Sequence, residues 1–351
     1  DELTALQSLE ATLLTRTTEV GDRLREPPSA GRRSQIRALW PQIAQHEATY
    51  LGMLQRLRGQ FVNSGQDTPL QAVARRTLLR YGPTRASLWA KVTGVVSRQM
   101  LASSFPPLMS ERSEIVRGRE FGDVNYLMQA LFDLANPLSG DKELLPDTHY
   151  RDIPLSGAYF LNLLQAARRL LLAQGHEGPV RFLDVGCGGG TKVLAASAVF
   201  DVAHGIELSP EYITQAAHFF EKVGADASVI SQGDALQFSD YGRYDVIYFY
   251  RPLKDPALAA RMEAQVLKHA RPGTIILAPL NASLGRGQDN VGTVADKIYL
   301  AGTSRKAAQN LGDRAEMCGC ETRIAVQDDA TELGFWEPIV SQSRRNGFAL
   351  R

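Results

Sequence analysis

The sequence predicts an α/β domain built around a parallel, doubly wound sheet and preceded by an all-α region. Residues 181–191 give the first indication, because an apolar run leads into a glycine cluster and then into a helical pattern. Further apolar runs of strand length alternate with helical patterns as far as residue 280. This alternation is typical of βαβ units and parallel sheets. In residues 1–145, by contrast, apolar residues recur every three or four positions, which indicates helices alone.

Length and composition limit the class of protein. The chain has 351 residues, 44% apolar and 22% charged, enough for two domains with an ordinary globular core. A net charge of +1 gives no overall preference for nucleic acid or membrane, and no apolar run reaches membrane-spanning length. Three cysteines provide no disulfide framework, and the pair Cys318 and Cys320 supplies too few ligands for a metal site. We therefore expect a cytoplasmic protein without a metal, although a chain that begins at Asp1 leaves open an upstream targeting segment.

The first predicted domain spans residues 1–145 and is helical throughout. Its first helix carries an apolar stripe at helical spacing, formed by Leu3, Leu6, Leu9, Leu13, Val20 and Leu24. Breaks are predicted at Pro27-Pro28 and at Tyr81-Gly82-Pro83, because proline and glycine interrupt helices. We expect this domain to capture substrate, to bind a partner or to form a homodimer through its helices.

A basic interval lies within the helical region. Between Glu47 and Glu111 the only acid is Asp67, whereas the same interval contains Arg56, Arg58, Arg75, Arg76, Arg80, Arg85, Lys91 and Arg98. One interpretation of Arg56–Arg98 is a surface for an anionic partner such as RNA, phospholipid or an acidic protein segment. The other, which the balanced charge of the chain favours, is a solvated face or arginines paired with acids elsewhere.

The glycine cluster at residues 186–190 is the part of the chain that indicates a ligand. Glycines allow a tight turn with positive φ and close approach of a ligand to the backbone, and the helix that follows offers unpaired N–H groups. A dinucleotide fingerprint requires glycine or alanine at position 191, where this chain has Thr191. Asp184, two residues before Gly186, would repel a pyrophosphate and suits a ligand with an ammonium or sulfonium group.

The pattern Asp-x-Gly-x-Gly-x-Gly, at Asp184, Gly186, Gly188 and Gly190, resembles motif I of the class I S-adenosylmethionine (SAM) dependent methyltransferases. The resemblance implies a Rossmann-like sheet of seven strands, mostly parallel with an antiparallel last strand. It places the methyltransferase domain at residues 146–351 and implies SAM as the cofactor.

Two further acids follow in the expected order. Glu207 ends the second apolar run, 23 residues beyond Asp184, where a carboxylate is able to accept hydrogen bonds from a ribose diol. Asp234 follows the third predicted strand, and the resemblance implies that it receives the adenine amino group while the neighbouring backbone meets a ring nitrogen. By the same resemblance, the remaining cofactor contacts are expected from Cys187, Leu208, Ala235, Tyr250 and Tyr150.

The methyl acceptor should face the loop from Tyr250 to Asp255, because open α/β sheets bind ligands at the carboxyl ends of their strands. This loop lacks the Asn/Asp-Pro-Pro-Tyr/Phe motif of base amino-group methylation, and it contains no cysteine. A general base is needed only for an acceptor that carries a proton at working pH. The candidates by position are Tyr250, Lys254, Asp255 and His149, and the sequence does not choose among them. His204 lies within a predicted strand, where we expect a structural role.

The end of the chain departs from a minimal fold of this kind. Residues 281–290 form a glycine-containing loop that we interpret as a lid or specificity loop. Val291–Leu311 is predicted to be helical. The last two strands are predicted at Glu321–Val326 and Phe335–Ser341.

Three functions remain open from the sequence. The first is a SAM-dependent methyltransferase that acts on a small molecule or a protein. The second is an RNA methyltransferase that uses the basic interval, and the third is a methyltransferase-like binding protein that transfers nothing. A dehydrogenase is disfavoured by Asp184 and Thr191.

Overall fold

A computed structural model gives the fold and describes residues 2–60, 68–100, 107–109, 122–135, 149–150, 152–153, 155–226, 229–285, 290–319 and 330–350. The chain packs into two compact units, one made of residues 1–105 and 317–351 and the other of residues 106–316. The predicted functional division between residues 145 and 146 stays a prediction. In the described part of the chain, every helix is too short or too polar to cross a membrane.

The elements follow one another in chain order. The helices are α1 (Glu2–Arg25), α2 (Ala30–Gln60), α3 (Pro69–Ser87), α4 (Trp89–Met100), α5 (Gly122–Ala135), α6 (Gly157–Gln174), α7 (Thr191–Ser197), α8 (Pro210–Lys222), α9 (Pro256–His269), α10 (Arg305–Ala315), α11 (Ala330–Leu333) and α12 (Glu337–Arg345). The strands are β1 (Arg181–Val185), β2 (Val202–Glu207), β3 (Ile230–Gln232), β4 (Val246–Tyr250), β5 (Ile275–Leu280), β6 (Val291–Ala295) and β7 (Ile298–Ala301).

In the helical unit, the predicted apolar stripe of α1 is buried against α2. Its members Leu6, Leu13 and Val20 are fully buried in one cluster with Ile36, Ile43 and Tyr50 of α2. The predicted break at residues 81–83 is wrong, since α3 continues through Pro83. Gly82 lets α3 approach α2 closely, because a Cβ atom at this position would lie 2.8 Å from Leu54.

The predicted strand at residues 335–341 is also wrong. Residues 334–336 form a short 3₁₀ turn that leads into α12, and Pro338 lies in the first turn of this helix. Phe335, Ile339 and Val340 are buried in the cluster that α1 also enters. This spacing is helical, and proline is well suited to the first turn of a helix. The other strand predicted here, at residues 321–326, lies outside the described residues.

The α/β unit contains a seven-stranded sheet with the order β3-β2-β1-β4-β5-β7-β6. β1 to β5 pair in parallel, and β7 runs antiparallel between β5 and β6. The predicted fold class, a mostly parallel doubly wound sheet with an antiparallel last strand, is confirmed. Because the order reverses between β1 and β4, the carboxyl ends of these strands define the crevice where such sheets bind ligands.

The antiparallel strands lie earlier in the chain than predicted. The predicted helix at residues 291–311 is instead a β6–β7 hairpin, and α10 starts only after the N-cap Ser304. The hairpin turns at Asp296 and Lys297, and Lys297 has φ of +65°. A polar two-residue turn between short apolar runs is a hairpin signal that helical spacing masked. The interpretation of residues 281–290 as a lid is not tested, since residues 286–289 lie outside the described residues.

Candidate functional site

A cleft lies at the carboxyl ends of β1, β2 and β4 and encloses about 740 Å³, part of it open to solvent. Ten of the predicted cofactor contacts line it: Tyr150, Asp184, Gly186, Cys187, Gly188, Glu207, Leu208, Asp234, Ala235 and Tyr250. The sheet therefore brings together residues that are up to 100 positions apart in the chain.

The glycine turn links β1 to α7. Gly186 and Gly188 have φ of +76° and +51°, and the Gly186 N–H donates to the Ile206 carbonyl at 2.9 Å. A Cβ atom at Gly188 would collide with the carboxylate of Asp152, so a side chain of the protein approaches the backbone closely here. The close approach of a ligand stays a prediction.

Gly190 is the one predicted cofactor residue that does not line the cleft. It has φ of +80° and is the N-cap of α7. A Cβ atom at this position would lie 2.8 Å from the ring of Phe220. The structure therefore gives Gly190 a packing role, in which it lets the start of α7 lie against α8.

Asp184 stands at the floor of the cleft with only 2% of its surface exposed. Its Oδ2 atom has no hydrogen-bond partner in the described part of the chain. Burial raises the pKa of Asp184 to about 8; Lys192 opposes this shift, while Asp152 and Glu207 add to it. A carboxyl group held in this way is unfavourable in its ionised form until a cation pairs with it.

Tyr248 lies beside Asp184 and was not predicted from the sequence. The two residues are register partners in the β1–β4 pair. The Tyr248 hydroxyl is buried and, like Asp184 Oδ2, lacks a hydrogen-bond partner among the described residues. Burial is the largest cause of its raised pKa, followed by the charge of Asp184. Two unsatisfied polar atoms thus adjoin the same cleft, although buried polar groups normally have partners.

Glu207 is held by the backbone around it. Its Oε2 accepts from the Gly188 N–H at 2.9 Å, and its Oε1 accepts from Leu208 at 2.8 Å and Ser209 at 3.0 Å. Burial raises the pKa of Glu207, and these three hydrogen bonds oppose the shift. A carboxylate has about four acceptor positions, so about one remains for a ligand. The hydrogen bonds predicted from a ribose diol number two, one more than this carboxylate has room for. One backbone N–H group would therefore share its acceptor position with a ribose hydroxyl or give it up.

Asp234 shapes the turn after β3. Its Oδ1 accepts from the Leu236 N–H at 2.8 Å, and its Oδ2 accepts from the Gln237 side-chain amide at 2.8 Å. The adjacent Ala235 carbonyl accepts from the Tyr241 hydroxyl at 3.0 Å. These bonds fix the edge of the cleft where the resemblance places adenine.

Asp152 and Lys192 form a buried ion pair that the sequence analysis missed. Lys192 Nζ lies 3.5 Å from Asp152 Oδ1, and the side chains are 9% and 6% exposed. Asp152 Oδ2 also accepts from the Gly189 N–H at 2.9 Å. The partners are 40 positions apart, and neither belongs to a motif; the polar segment before α6 was the only signal.

A short bridge joins the segment before α6 to the loop after β4. His149 pairs with Leu253 in an isolated antiparallel β-bridge, and the Tyr150 N–H donates to the Pro252 carbonyl at 3.4 Å. The guanidinium of Arg251 lies 5.6 Å from the centre of the Tyr150 ring, and the ammonium of Lys254 lies 5.8 Å from it. Arg251 and Lys254 therefore bring positive charge to this segment, and Asp234 lies near enough to oppose the lowered pKa of His149 beside them.

The four candidate bases differ in whether they line the cleft. Tyr250 and His149 line the cleft, whereas Lys254 and Asp255 do not. Asp255 is the N-cap of α9 and accepts from the N–H groups of Ala257 and Leu258 at 2.7 and 3.1 Å. Burial lowers the pKa of His149; Asp234 opposes this shift and Lys254 adds to it.

Two further expectations concern residues outside the cleft. His204 Nδ1 lies 3.1 Å from the Tyr244 hydroxyl within the sheet, in keeping with the structural role expected for it.

Among the described residues, no group of three His, Cys, Asp or Glu side chains is placed to hold a metal ion. Cys320 of the C-x-C pair lies outside the described residues.

The fold defines an α/β domain with a cleft at the reversal of strand order, which is where open α/β sheets bind ligands. Residues 183–276 match the sequence profile of a family described as a methyltransferase domain. The matched stretch runs from β1 to β5 and contains the glycine turn, Glu207 and Asp234. The chain therefore contains a methyltransferase domain, and the resemblance seen at Asp184, Gly186, Gly188 and Gly190 is confirmed.

Solved structures similar to this chain include three methyltransferases. An RNA methyltransferase from Salinibacter ruber, in complex with S-adenosylhomocysteine (SAH), is 22% identical over 38% of this chain and 86% of its own, with a TM-score of 0.28. A SAM-dependent methyltransferase from Geobacter sulfurreducens, also with SAH, is 22% identical over 42% and 54%, with a TM-score of 0.28. An amino pentose methyltransferase from Micromonospora echinaspora, with SAM bound, is 18% identical over 48% and 91%, with a TM-score of 0.27. A comparison with curated proteins gives no match. Among these comparisons, the assignment of a methyltransferase domain therefore rests on the profile match at residues 183–276.

Proposed function

We propose that the chain is a SAM-dependent methyltransferase that transfers a methyl group to a small-molecule or protein acceptor. The observation that carries the proposal is the buried carboxylate of Asp184 beside the glycine turn of a methyltransferase domain. Its Oδ2 atom has no hydrogen-bond partner among the described residues, and Asp152 and Glu207 add negative charge nearby. A cation relieves such an arrangement, and SAM carries both a sulfonium and an ammonium group.

The residues of the cleft fit SAM in chemical type and in order. Asp184 and Tyr248 offer buried oxygen atoms suited to the ammonium group. Glu207 has an acceptor position free for a ribose hydroxyl, and Asp234 and Ala235 edge the region assigned to adenine. When bound, SAM would supply an electrophilic methyl group: an oxygen, nitrogen, sulfur or carbon nucleophile would form a bond to the methyl carbon while the carbon–sulfur bond breaks and SAH leaves.

The protein's part in the reaction is to position the acceptor and to exclude water. Holding the nucleophile in line with the reacting carbon removes most of the entropic cost of the encounter. This role for Tyr250 and His149 is supported by their position in the lining of the cleft. Because the pKa of His149 is lowered, its imidazole is neutral at neutral pH and able to accept a proton from an O–H or N–H acceptor. Asp255 is less suited to this role, because it already accepts two backbone hydrogen bonds.

The basic interval gives less support to an RNA acceptor than the sequence alone allowed. Arg75 and Arg85 are buried, and Arg85 pairs with Glu10 at 2.7 Å. The guanidinium of Arg98 donates to the Ala349 carbonyl at 2.6 Å. These three arginines hold the helical unit together, so the structural interpretation accounts for part of the interval. The remaining basic residues are exposed: Arg56, Arg58, Arg76, Arg80 and Lys91. A domain division at residues 145 and 146, a homodimer and a cytoplasmic location remain part of the proposal.

Calorimetric titration of SAM tests this function. We expect wild-type protein to bind SAM, and Asp184→Asn to weaken binding by about 1–3 kcal/mol, the scale of a lost charged hydrogen bond. Glu221→Gln, on the exposed face of α8, is the matched control and should bind as the wild type does. Glu207→Ala should also weaken binding, but it removes the acceptor of three backbone N–H groups as well.

Methyl transfer from labelled SAM to separated small-molecule and protein fractions then distinguishes an enzyme from a binding protein. Label in either fraction supports the enzyme. SAM binding without transfer to any fraction would favour the binding protein. Failure of SAM and SAH to bind wild-type protein would overturn the assignment of the cofactor.

A further inference from the structure

Two positive side chains converge on one aromatic ring at the mouth of the cleft. Arg251 and Lys254 lie 5.6 and 5.8 Å from the centre of the Tyr150 ring. Both side chains are exposed, and neither forms a salt bridge with an acid among the described residues. Two exposed cations therefore share one aromatic ring, and an anion bound beside the ring would be attracted by both of them.

The backbone that presents Arg251 is strained. Arg251 has φ of +49°, a left-handed conformation that is unfavourable for an L-residue. The pairing of β4 with β5 is irregular between Tyr248 and Tyr250, just before this residue. Beyond it, Pro252 and Leu253 are tied to the segment that carries Tyr150. Strain that the surroundings enforce in this way is concentrated at ligand sites.

Charges of both signs line the cleft. Its acids include Asp152, Asp184, Glu207 and Asp234. Its cations include Lys192, which pairs with Asp152, and Arg251, which follows β4. Under the proposed function the methyl group of SAM lies beside the loop after β4. Arg251 then lines the side of the cleft that receives the acceptor, and Lys254 lies just outside it.

We propose that the methyl acceptor is a small anionic molecule, with a carboxylate or phosphate group held by Arg251 and Lys254 beside Tyr150. Arginine binds either group through two parallel hydrogen bonds, and lysine adds a mobile point charge. The ring of Tyr150 offers an apolar surface next to this anion subsite. This inference rests on the proposed function and narrows its substrate class.

The test uses full-length protein saturated with SAH and three small probes of similar size. Benzoate and phenyl phosphate carry the proposed anion, and benzamide is the neutral analogue of benzoate. Dissociation constants are measured by ligand-observed NMR. We expect wild-type protein to bind both anions about tenfold more tightly than benzamide, a preference that Arg251→Gln and Lys254→Gln each reduce to about threefold or less. Arg261→Gln and Lys268→Gln, exposed on α9, are matched controls that should retain the preference.

Each other outcome contradicts the inference. Equal affinity for benzoate and benzamide in SAH-saturated wild-type protein, including no detectable binding of either, would overturn the anion subsite and leave the proposed function intact. A preference that survives both substitutions would place the anion elsewhere. Loss of SAH binding in Arg251→Gln or Lys254→Gln would assign these cations to the cofactor and not to the acceptor. Failure of wild-type protein to bind SAH would contradict the proposed function itself.

Discussion

Asp184 and Tyr248 lie opposite each other on neighbouring strands, and each has a buried oxygen atom without a hydrogen-bond partner in the described part of the chain. The sequence identified Asp184 because it precedes the glycine cluster by two residues and because Glu207 and Asp234 follow in order. Tyr248 gave no such signal, since in the sequence it is one of several aromatic residues in an apolar strand. Its partnership with Asp184 depends on sheet register, which only the fold supplies.

Asp184→Asn should change how stability depends on pH. The folded state raises the pKa of Asp184 from 3.8 to about 8, so the folded protein holds this proton more tightly than the unfolded chain does. Stability is then retained below about pH 4 and lost as pH rises toward 8, at up to roughly 1.4 kcal/mol per pH unit. Because asparagine does not ionise, the variant should gain stability relative to wild type across this window in the absence of ligand.

Urea unfolding at several pH values between 4 and 9 measures this difference. Glu221→Gln, an exposed substitution, serves as the control and should follow the wild-type profile. A stability difference between Asp184→Asn and wild type that stays constant across the range would show that the carboxyl group is not held as described.

The glycine turn and the strands around it were predictable because their signals are local. A glycine cluster after an apolar run specifies the turn, and Ser209-Pro210 marks the start of α8, where the Ser209 hydroxyl accepts from the Tyr212 N–H. The role of each glycine within the turn could not be predicted from the local sequence. Gly190 meets Phe220 and Ile230 from other elements, so only packing distinguishes it from Gly186 and Gly188.

The C-terminal elements were misassigned because their apolar patterns are ambiguous. Short apolar runs suit either a strand or a buried helix when length does not decide between them. In β6 and β7 a two-residue polar turn resolves the pattern as a hairpin. In α12, Ile339 and Val340 are both buried, which a half-exposed strand does not allow, because successive side chains of a strand point to opposite faces.

Ile339→Ala tests the placement of α12. Ile339 is fully buried in the cluster that includes Leu13 and Trp336, so truncation should lower the free energy of unfolding by about 2–4 kcal/mol. Arg345→Ala, exposed at the end of the same helix, should change stability by less than about 0.5 kcal/mol. Urea unfolding followed by circular dichroism compares the two. Equal, small effects of both substitutions would place residues 337–345 at the surface.

In the molecule as a whole, residues 183–276 match a known family, whereas the helical unit was interpreted from the periodicity of its apolar residues. Within the stretch matched at residues 183–276, family resemblance supplied the parallel strands and the order of the acids, and it implied the cofactor. Strands β6 and β7 lie beyond that stretch. For the helical unit, periodicity predicted the core of α1 and α2. It did not predict that residues 330–350 pack there, because contacts between the two ends of a chain leave no local signal.

A crystal structure of the protein grown with SAM is the decisive experiment. We expect the nucleoside in the cleft at the ends of β1, β2 and β4, with its ammonium group hydrogen-bonded to Asp184, its ribose at Glu207 and its methyl group directed toward Tyr250. SAM bound at another place, or in this cleft without contact to Asp184, would contradict the account.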